Sequence, residues 1–424
     1  MAIVALISVI AVVLTVVLLF WRPEIVLGAQ LMGLPFFGFT FQAVGIGSGV
    51  IYFIFALTMI AGIVYSIRAR VDLQPCTPIE YLIFAMLAYL AFSLVFTPAP
   101  EYGREKVLLC LGIIGPALWM GRIAGQSKMG VSRLLEVLGF YGMVTIWLLV
   151  YVYSVTQGES TRFRAGFGPL AIGYTSATAI VACFYITLEK KNPIFRVFSI
   201  VSIAAGLVVI VATGSRGPMV ALLVGGAVSL CRGRGNLRAV FALVLVVALG
   251  VFAILKYSPE SGQNRLLSRN KFARMSALGR VELLQLGVEH FLENPVAGGG
   301  SGSFAIFAFR TDERMYAHNV ALEIAGECGL IGLSLFFVAV FKACQEIRLI
   351  RRGAINVTEN SGRIIEFMFV AGLTNAVISF DLPQQKILFV SLGVLAGLSR
   401  RRMEMNHTSL RQDSVESTMN LQRV

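Results

Sequence analysis

The chain has 424 residues, 57% hydrophobic and only 14% charged, with a mean hydropathy of +0.78, far above that of a water-soluble domain. Apolar runs recur from residue 2 to residue 399, continuous over 14 to 20 residues each. This excludes a soluble enzyme with a buried core, and also a transmembrane β-barrel, whose strands alternate inward and outward over about ten residues. The net charge of +13, from 36 Lys and Arg against 23 Asp and Glu, does not indicate nucleic acid, because the basic residues cluster in short loops between apolar runs.

In chain order the predicted spans cover residues 2–20, 48–66, 80–97, 107–121, 134–154, 168–188, 194–212, 218–231, 239–256, 319–341, 365–380 and 386–399. A thirteenth segment, 25–43, is interrupted by Gly33, Pro35 and Gly38 and is either a short span or an interfacial piece. The first run, ending at Phe20, has no basic start and no evident small-residue cleavage site, so it reads as a retained helix. The fold class is therefore all-α, a polytopic transmembrane bundle of 12 or 13 spans. The six cysteines are scattered, with no pair at metal-ligand spacing, and read as small core residues.

The loops alternate in charge. Those holding Arg68 and Arg70, Arg122 to Arg133, Lys190 to Arg196, Arg232 to Arg238, Arg348 to Arg352 and Arg400 to Arg402 are assigned to the cytoplasm. Pro98 to Lys106, Gln157 to Gly166, Thr213 to Gly217, Tyr257 to Ala317 and Asp381 to Gln385 are assigned to the outside. The chain thus divides into N-terminal spans (1–256), a long outer loop (257–318), C-terminal spans (319–402) and a polar segment (403–424) expected to be a disordered cytoplasmic tail.

Three groups sit where outward segments meet the membrane: Arg216 in Thr213-Gly-Ser-Arg-Gly-Pro218, Arg280 after Gly279, and His318 in Ala317-His-Asn319. The run from Pro218 to Cys231 is shorter than the ~20 residues that cross a bilayer, which recesses Arg216 below the surface. A recessed arginine needs a wet cavity or an anion; the plainer reading is an arginine snorkelling from a hairpin. Arg280 opens an amphipathic helix to Leu292, marked by Val281, Leu284, Val288 and Phe291 and ended by Asn294-Pro295; on that helix His290 reads as a surface residue. The turn Gly298 to Ser303 can offer backbone N–H groups to an anion. Asn319, Glu323 and Glu327 share one helical face, expected to point into the cavity of Arg216, with a capping role as the alternative for Asn319. With four aspartates, Asp72, Asp312, Asp381 and Asp413, there is no Asp-x-Asp pair for a divalent metal on a sugar nucleotide, and no Walker A pattern. No metal or other cofactor is expected.

The order of Thr213-Gly-Ser-Arg-Gly-Pro218, Gly279-Arg280, Asn294-Pro295 with Gly298 to Phe304, and Ala317-His-Asn319 leading to Glu323 and Gly329-Leu-Ile-Gly332 resembles the O-antigen ligase and polymerase family over about residues 160 to 345. The resemblance implies a GT-C-like membrane glycosyltransferase on the outer, periplasmic face of the bacterial inner membrane. It would move a glycan from an undecaprenyl-diphosphate carrier to an acceptor hydroxyl, on another glycan or on lipid A core, without metal. It further implies that Arg216 and Arg280 grip the donor diphosphate, that His318 orients or deprotonates the acceptor, and that Arg164, in Arg162-Phe-Arg164-Ala-Gly166, together with Asn319 and Glu323, contributes to substrate binding. The sequence departs from the family at Gly173-Tyr-Thr-Ser176, where members often carry an Asn.

Two other readings compete with this enzyme: a transporter or flippase of an anionic or lipid-linked solute, which calls for helix breaks at the bilayer midplane in matching halves, and a scaffold subunit, which has no use for recessed charges. Membrane lipids are partners under every reading; nucleic acid is not.

Overall fold

The computed structural model describes residues 77–127, 130–155, 169–213, 216–230, 271–355, 357–379 and 381–421. The expected spans 2–20, 25–43, 48–66 and 239–256, and Arg164, lie outside them. Among the described residues all regular structure is helical, as it must be where the surroundings offer the backbone no water.

The first described helix, α1 (Pro78–Phe92), opens on a capping box in which Thr77 and Glu80 satisfy one another's backbone N–H groups. The next, α2 (Pro100–Leu109), runs without interruption through a π turn (Cys110–Ile114) into α3 (Gly115–Gln126). Then follow α4 (Gly130–Val155), α5 (Pro169–Glu189), α6 (Pro193–Ala212) and the short α7 (Arg216–Leu230). After the segment 231–270 come α8 (Lys271–Glu293), α9 (Ser303–Phe309), α10 (Val320–Arg351), α11 (Glu359–Ile378) and α12 (Lys386–Leu421). Among the described residues, seven stretches are long and apolar enough to cross a bilayer: Pro78–Val95, Pro100–Gln126, Gly130–Tyr151, Ile172–Glu189, Pro193–Ala212, Val320–Arg351 and Glu359–Ile378. Arg216–Ser229 is apolar but shorter. The protein is a multi-pass membrane protein.

Three expectations change. The span expected over 107–121 is the longer helix Pro100–Gln126, because Lys106 and Arg122, read from the sequence as loop charges, are buried and paired inside the bundle. The span expected from residue 365 starts at Glu359, where Thr358 accepts a hydrogen bond from Ser361 N. The segment from Met403, expected to be a disordered tail, continues α12 to Leu421; it holds no Gly or Pro to stop the helix.

Close approach of helix backbones holds the bundle together. In the α3–α12 crossing, Gly121 and Gly125 face Val390 and Val394, and Gly393 and Gly397 face Leu118 and Arg122; a methyl at any of the four would overlap backbone of the other helix. Paired Gly-xxx-Gly steps suit a membrane bundle, in which packing rather than apolar burial drives helix association.

The helix α10 is broken at Gly329, whose φ of 62° and ψ of −161° leave the helical region. The break frees two N–H groups and two carbonyls, and the turn after α8 takes all four. Leu330 N donates to Pro295 O at 2.8 Å and Ile331 N to Val296 O at 3.4 Å; Gly299 N donates to Gly326 O at 2.8 Å and Gly300 N to Glu327 O at 3.0 Å. Two helical bonds are thereby exchanged for four tertiary ones. Only glycine fits at Gly329, since a Cβ would strike the Val296 carbonyl. The same turn is stitched to the end of α1: the Ser301 backbone N–H donates to Ser93 Oγ at 3.0 Å and Thr97 Oγ1 donates to Ser301 O at 2.6 Å.

Replacing Gly393 by Leu should cost about 1–3 kcal/mol or more through overpacking, read as a lower thermal midpoint in detergent. Gly329→Ala should fall in the same direction. Gly115→Ala, where the methyl meets nothing within 4 Å, should be neutral or slightly stabilising.

Candidate functional site

One end of the bundle gathers the start of α7, the middle of α8, the segment 310–319 before α10, and the α11–α12 connection. Arg216 is the first residue of α7 and is exposed. Gly217, next to it, lies against Ser379 at the end of α11, where a side chain would collide with Ser379 Oγ at 2.8 Å. Arg280 is half-buried on α8; burial lowers its proton affinity and the nearby charge of Arg216 lowers it further. Two like charges are thus held within electrostatic range of one another, and guanidinium groups are suited to phosphate oxygens.

The segment carrying His318 is pinned at three points. Asp312 accepts hydrogen bonds from the Glu101 and Tyr102 backbone N–H groups at 2.9 and 3.0 Å, a carboxylate on the N-terminus of α2. Arg314 donates through Nε and Nη2 to Asp381 Oδ2 at 3.1 and 2.7 Å. Asn319 caps α10, its side chain accepting from Leu322 N at 3.0 Å. Between these pins the Tyr316 ring meets the His318 imidazole edge-on, centroids 4.6 Å apart. Arg310 and His318 both hold the left-handed backbone region, at φ 56° and 57°, which non-glycine residues visit rarely and often at functional sites.

His318 Nδ1 and Asp381 Oδ1 are buried and find no hydrogen-bond partner among the described residues. Burial and the Arg280 charge keep the proton affinity of His318 below the usual histidine value, against an opposing pull from Asp381. Burial and Arg280 both favour the neutral form of the imidazole. Burial opposes charge on Arg314, yet Asp381 holds its proton more firmly than usual. Burial and Asp381 push Tyr316 up to about 12.

The residues expected to contact substrate part company here. Arg280 lies within electrostatic range of both Arg216 and His318. Asn319 spends its side-chain oxygen on the cap. Glu323 and Glu327 do not face the arginines: both carboxylates pair with the fully buried Lys106, Glu327 Oε1 at 2.6 Å. An acidic side chain inside the bundle takes the cation that reaches it, and α2 brings Lys106 closer than α7 brings Arg216. The Gly298–Ser303 turn, expected to offer N–H groups to an anion, gives those of Gly299 and Gly300 to α10. His290, read as a surface residue, is 3% exposed, 3.0 Å from Ser303 Oγ and wedged between Phe304 and Phe307.

Sequence reasoning missed Lys106, Asp312, Arg314 and Asp381 as part of this region. The one available signal was scarcity: two of only four aspartates lie in short polar segments on the side where the arginines fall. Behind Arg216, between α5, α7, α11 and α12, lies a small apolar cleft lined by Tyr174, Thr178, Pro218, Leu222, Asn375 and Ile387 among others.

Residues 201–337 match a family model described as O-antigen ligase. The match runs from α6 through α7 and α8 to the first half of α10, and so includes Arg216, Arg280 and His318. No curated protein matches the chain. The family match, set among helices long and apolar enough to cross a membrane, supports an assignment to the O-antigen ligase and polymerase family.

Proposed function

We propose that the protein transfers a glycan from an undecaprenyl-diphosphate carrier to an acceptor hydroxyl at the periplasmic face of the inner membrane, by inversion and without a metal. The observation that carries this reading is the pair of arginines held together beside a histidine of lowered proton affinity whose Nδ1 has no partner among the described residues. Arg216 and Arg280 bind the diphosphate, and the apolar cleft behind Arg216 takes the first isoprene units. The acceptor oxygen attacks the anomeric carbon, the bond from that carbon to the diphosphate oxygen breaks with its electrons, and the imidazole of His318 takes the hydroxyl proton. Catalysis is positional and electrostatic: permanent positive charge waits where negative charge develops. Arg164 stays with this reading as a further donor contact.

A transporter would use a broken helix to offer freed backbone groups to its solute. The break at Gly329 is of the right kind, but the four groups it frees are bonded to the turn after α8. That favours the enzyme.

Purified wild-type protein given lipid-linked oligosaccharide and acceptor should release carrier diphosphate and lengthen the acceptor; binding without release would sink the proposal. Arg216→Ala and Arg280→Ala should each slow transfer by roughly 10²–10³, with membrane levels unchanged. His318→Ala should do likewise.

The pH dependence follows from the direction of the His318 shift. The base form is the neutral imidazole, so transfer should be level at and above pH 7 and decline only below pH 6.5, on an acid limb set by a histidine of lowered proton affinity. In His318→Gln that limb should disappear from the residual rate.

A further inference from the structure

Lys106 is 0% exposed, and so, nearly, are the two carboxylates that hold it. Taking three charges out of water costs several kcal/mol per ion, and apolar side chains of similar volume would pack α2 against α10 as well. What the ions add is direction. Both oxygens of Glu323 lie within reach of the Leu382 backbone N–H, at 3.3 and 3.1 Å. Leu382 follows Asp381, whose Oδ2 grips Arg314, and Arg314 is four residues before His318. A continuous chain of bonds therefore leads from the middle of the bundle to the imidazole: Lys106, Glu323, the 381–382 backbone, Asp381, Arg314. Its far end holds the two unfilled hydrogen-bonding atoms, Asp381 Oδ1 and His318 Nδ1.

We propose that Lys106 is a positioning residue of the transfer site: by anchoring Glu323 it fixes the α11–α12 connection, sets Asp381 against Arg314, and so holds His318 in register with the two arginines. This rests on the function proposed above. The groups facing His318 are Arg280 from α8, Tyr316 from its own segment and Asp381 from the connection, with Arg216 of α7 beyond Arg280. Asp381 is the one that strengthens proton binding, so the His318 titration reports whether Asp381 stays in place.

Glu323→Gln and Glu327→Gln form a matched pair. Each removes one carboxylate and leaves Lys106 with one partner, but only Glu323 lies on the chain to Leu382. Lys106→Met/Glu327→Gln removes the anchor while keeping the net charge of the native trio. The full-length protein in detergent, labelled at histidine, is titrated by NMR; the chain has three histidines, and His318 is assigned by its loss in His318→Gln.

Lys106→Met/Glu327→Gln and Glu323→Gln should move the His318 titration to lower pH, as should Asp381→Asn. They should lower kcat by up to about 10²-fold with little change in donor KM, the cost of slight misplacement of a reacting group. Glu327→Gln should leave both unchanged. If the lysine and Glu323 only balance charge, the matched pair will behave alike, or the His318 titration will stay at the wild-type position in folded protein, and the inference is wrong. Should the double variant fail to accumulate, the matched pair decides alone. Should wild-type protein show no transfer, the proposed function falls while the titrations still test the positioning.

Discussion

A charged side chain carried into the membrane has to find its partner inside the protein, and that constraint organises this molecule. Lys106 on α2 meets Glu323 and Glu327 on α10. Arg122 on α3 meets Glu80 on α1 at 3.0 Å. Neither pair can form until the helices are in register, and a helix one residue out of place would strand an ion at a cost of several kcal/mol. The ion pairs therefore select one arrangement among the many that apolar faces alone would tolerate.

On that frame the break at Gly329 does a second job. A continuous α10 would keep its hydrogen bonds to itself; a broken one hands four backbone groups to the turn after α8. This couples α8, which carries Arg280, to α10, whose cap follows His318. The α11–α12 connection is tied in from the other side by Glu323 and Arg314. The three groups proposed for the chemistry come from α7, α8 and the segment before α10, and these elements are held by contacts between them and the rest of the bundle. A site meant to stabilise charge in a transition state needs such rigidity before substrate arrives.

Much of the fold was legible. Apolar runs of helical length located the described spans to within a few residues at many ends, and Gly33-type interruptions aside, the pattern left no room for strands. The errors fell on charge. Lys106 and Arg122 were read as loop residues because a charge rule cannot distinguish a lysine facing water from one facing a carboxylate 217 and 221 positions away in sequence. Of the candidate site, Arg216, Arg280 and His318 stood out because each interrupts an apolar context; Asp381 and Arg314 did not, since each looks like ordinary loop polarity until the other is seen beside it.

The amino-acid sequence by itself determined that the segments are helices, because an apolar stretch in lipid must satisfy every backbone N–H and C=O internally. It also determined where glycine would allow close approach and where charge would interrupt the apolar runs. Only the tertiary structure decided what each charge is for. Glu323 and His318 lie five residues apart, yet one is spent on a buried lysine and the other keeps a ring nitrogen without a partner among the described residues, because the energy of an ionisable group is set by the neighbours that folding brings to it.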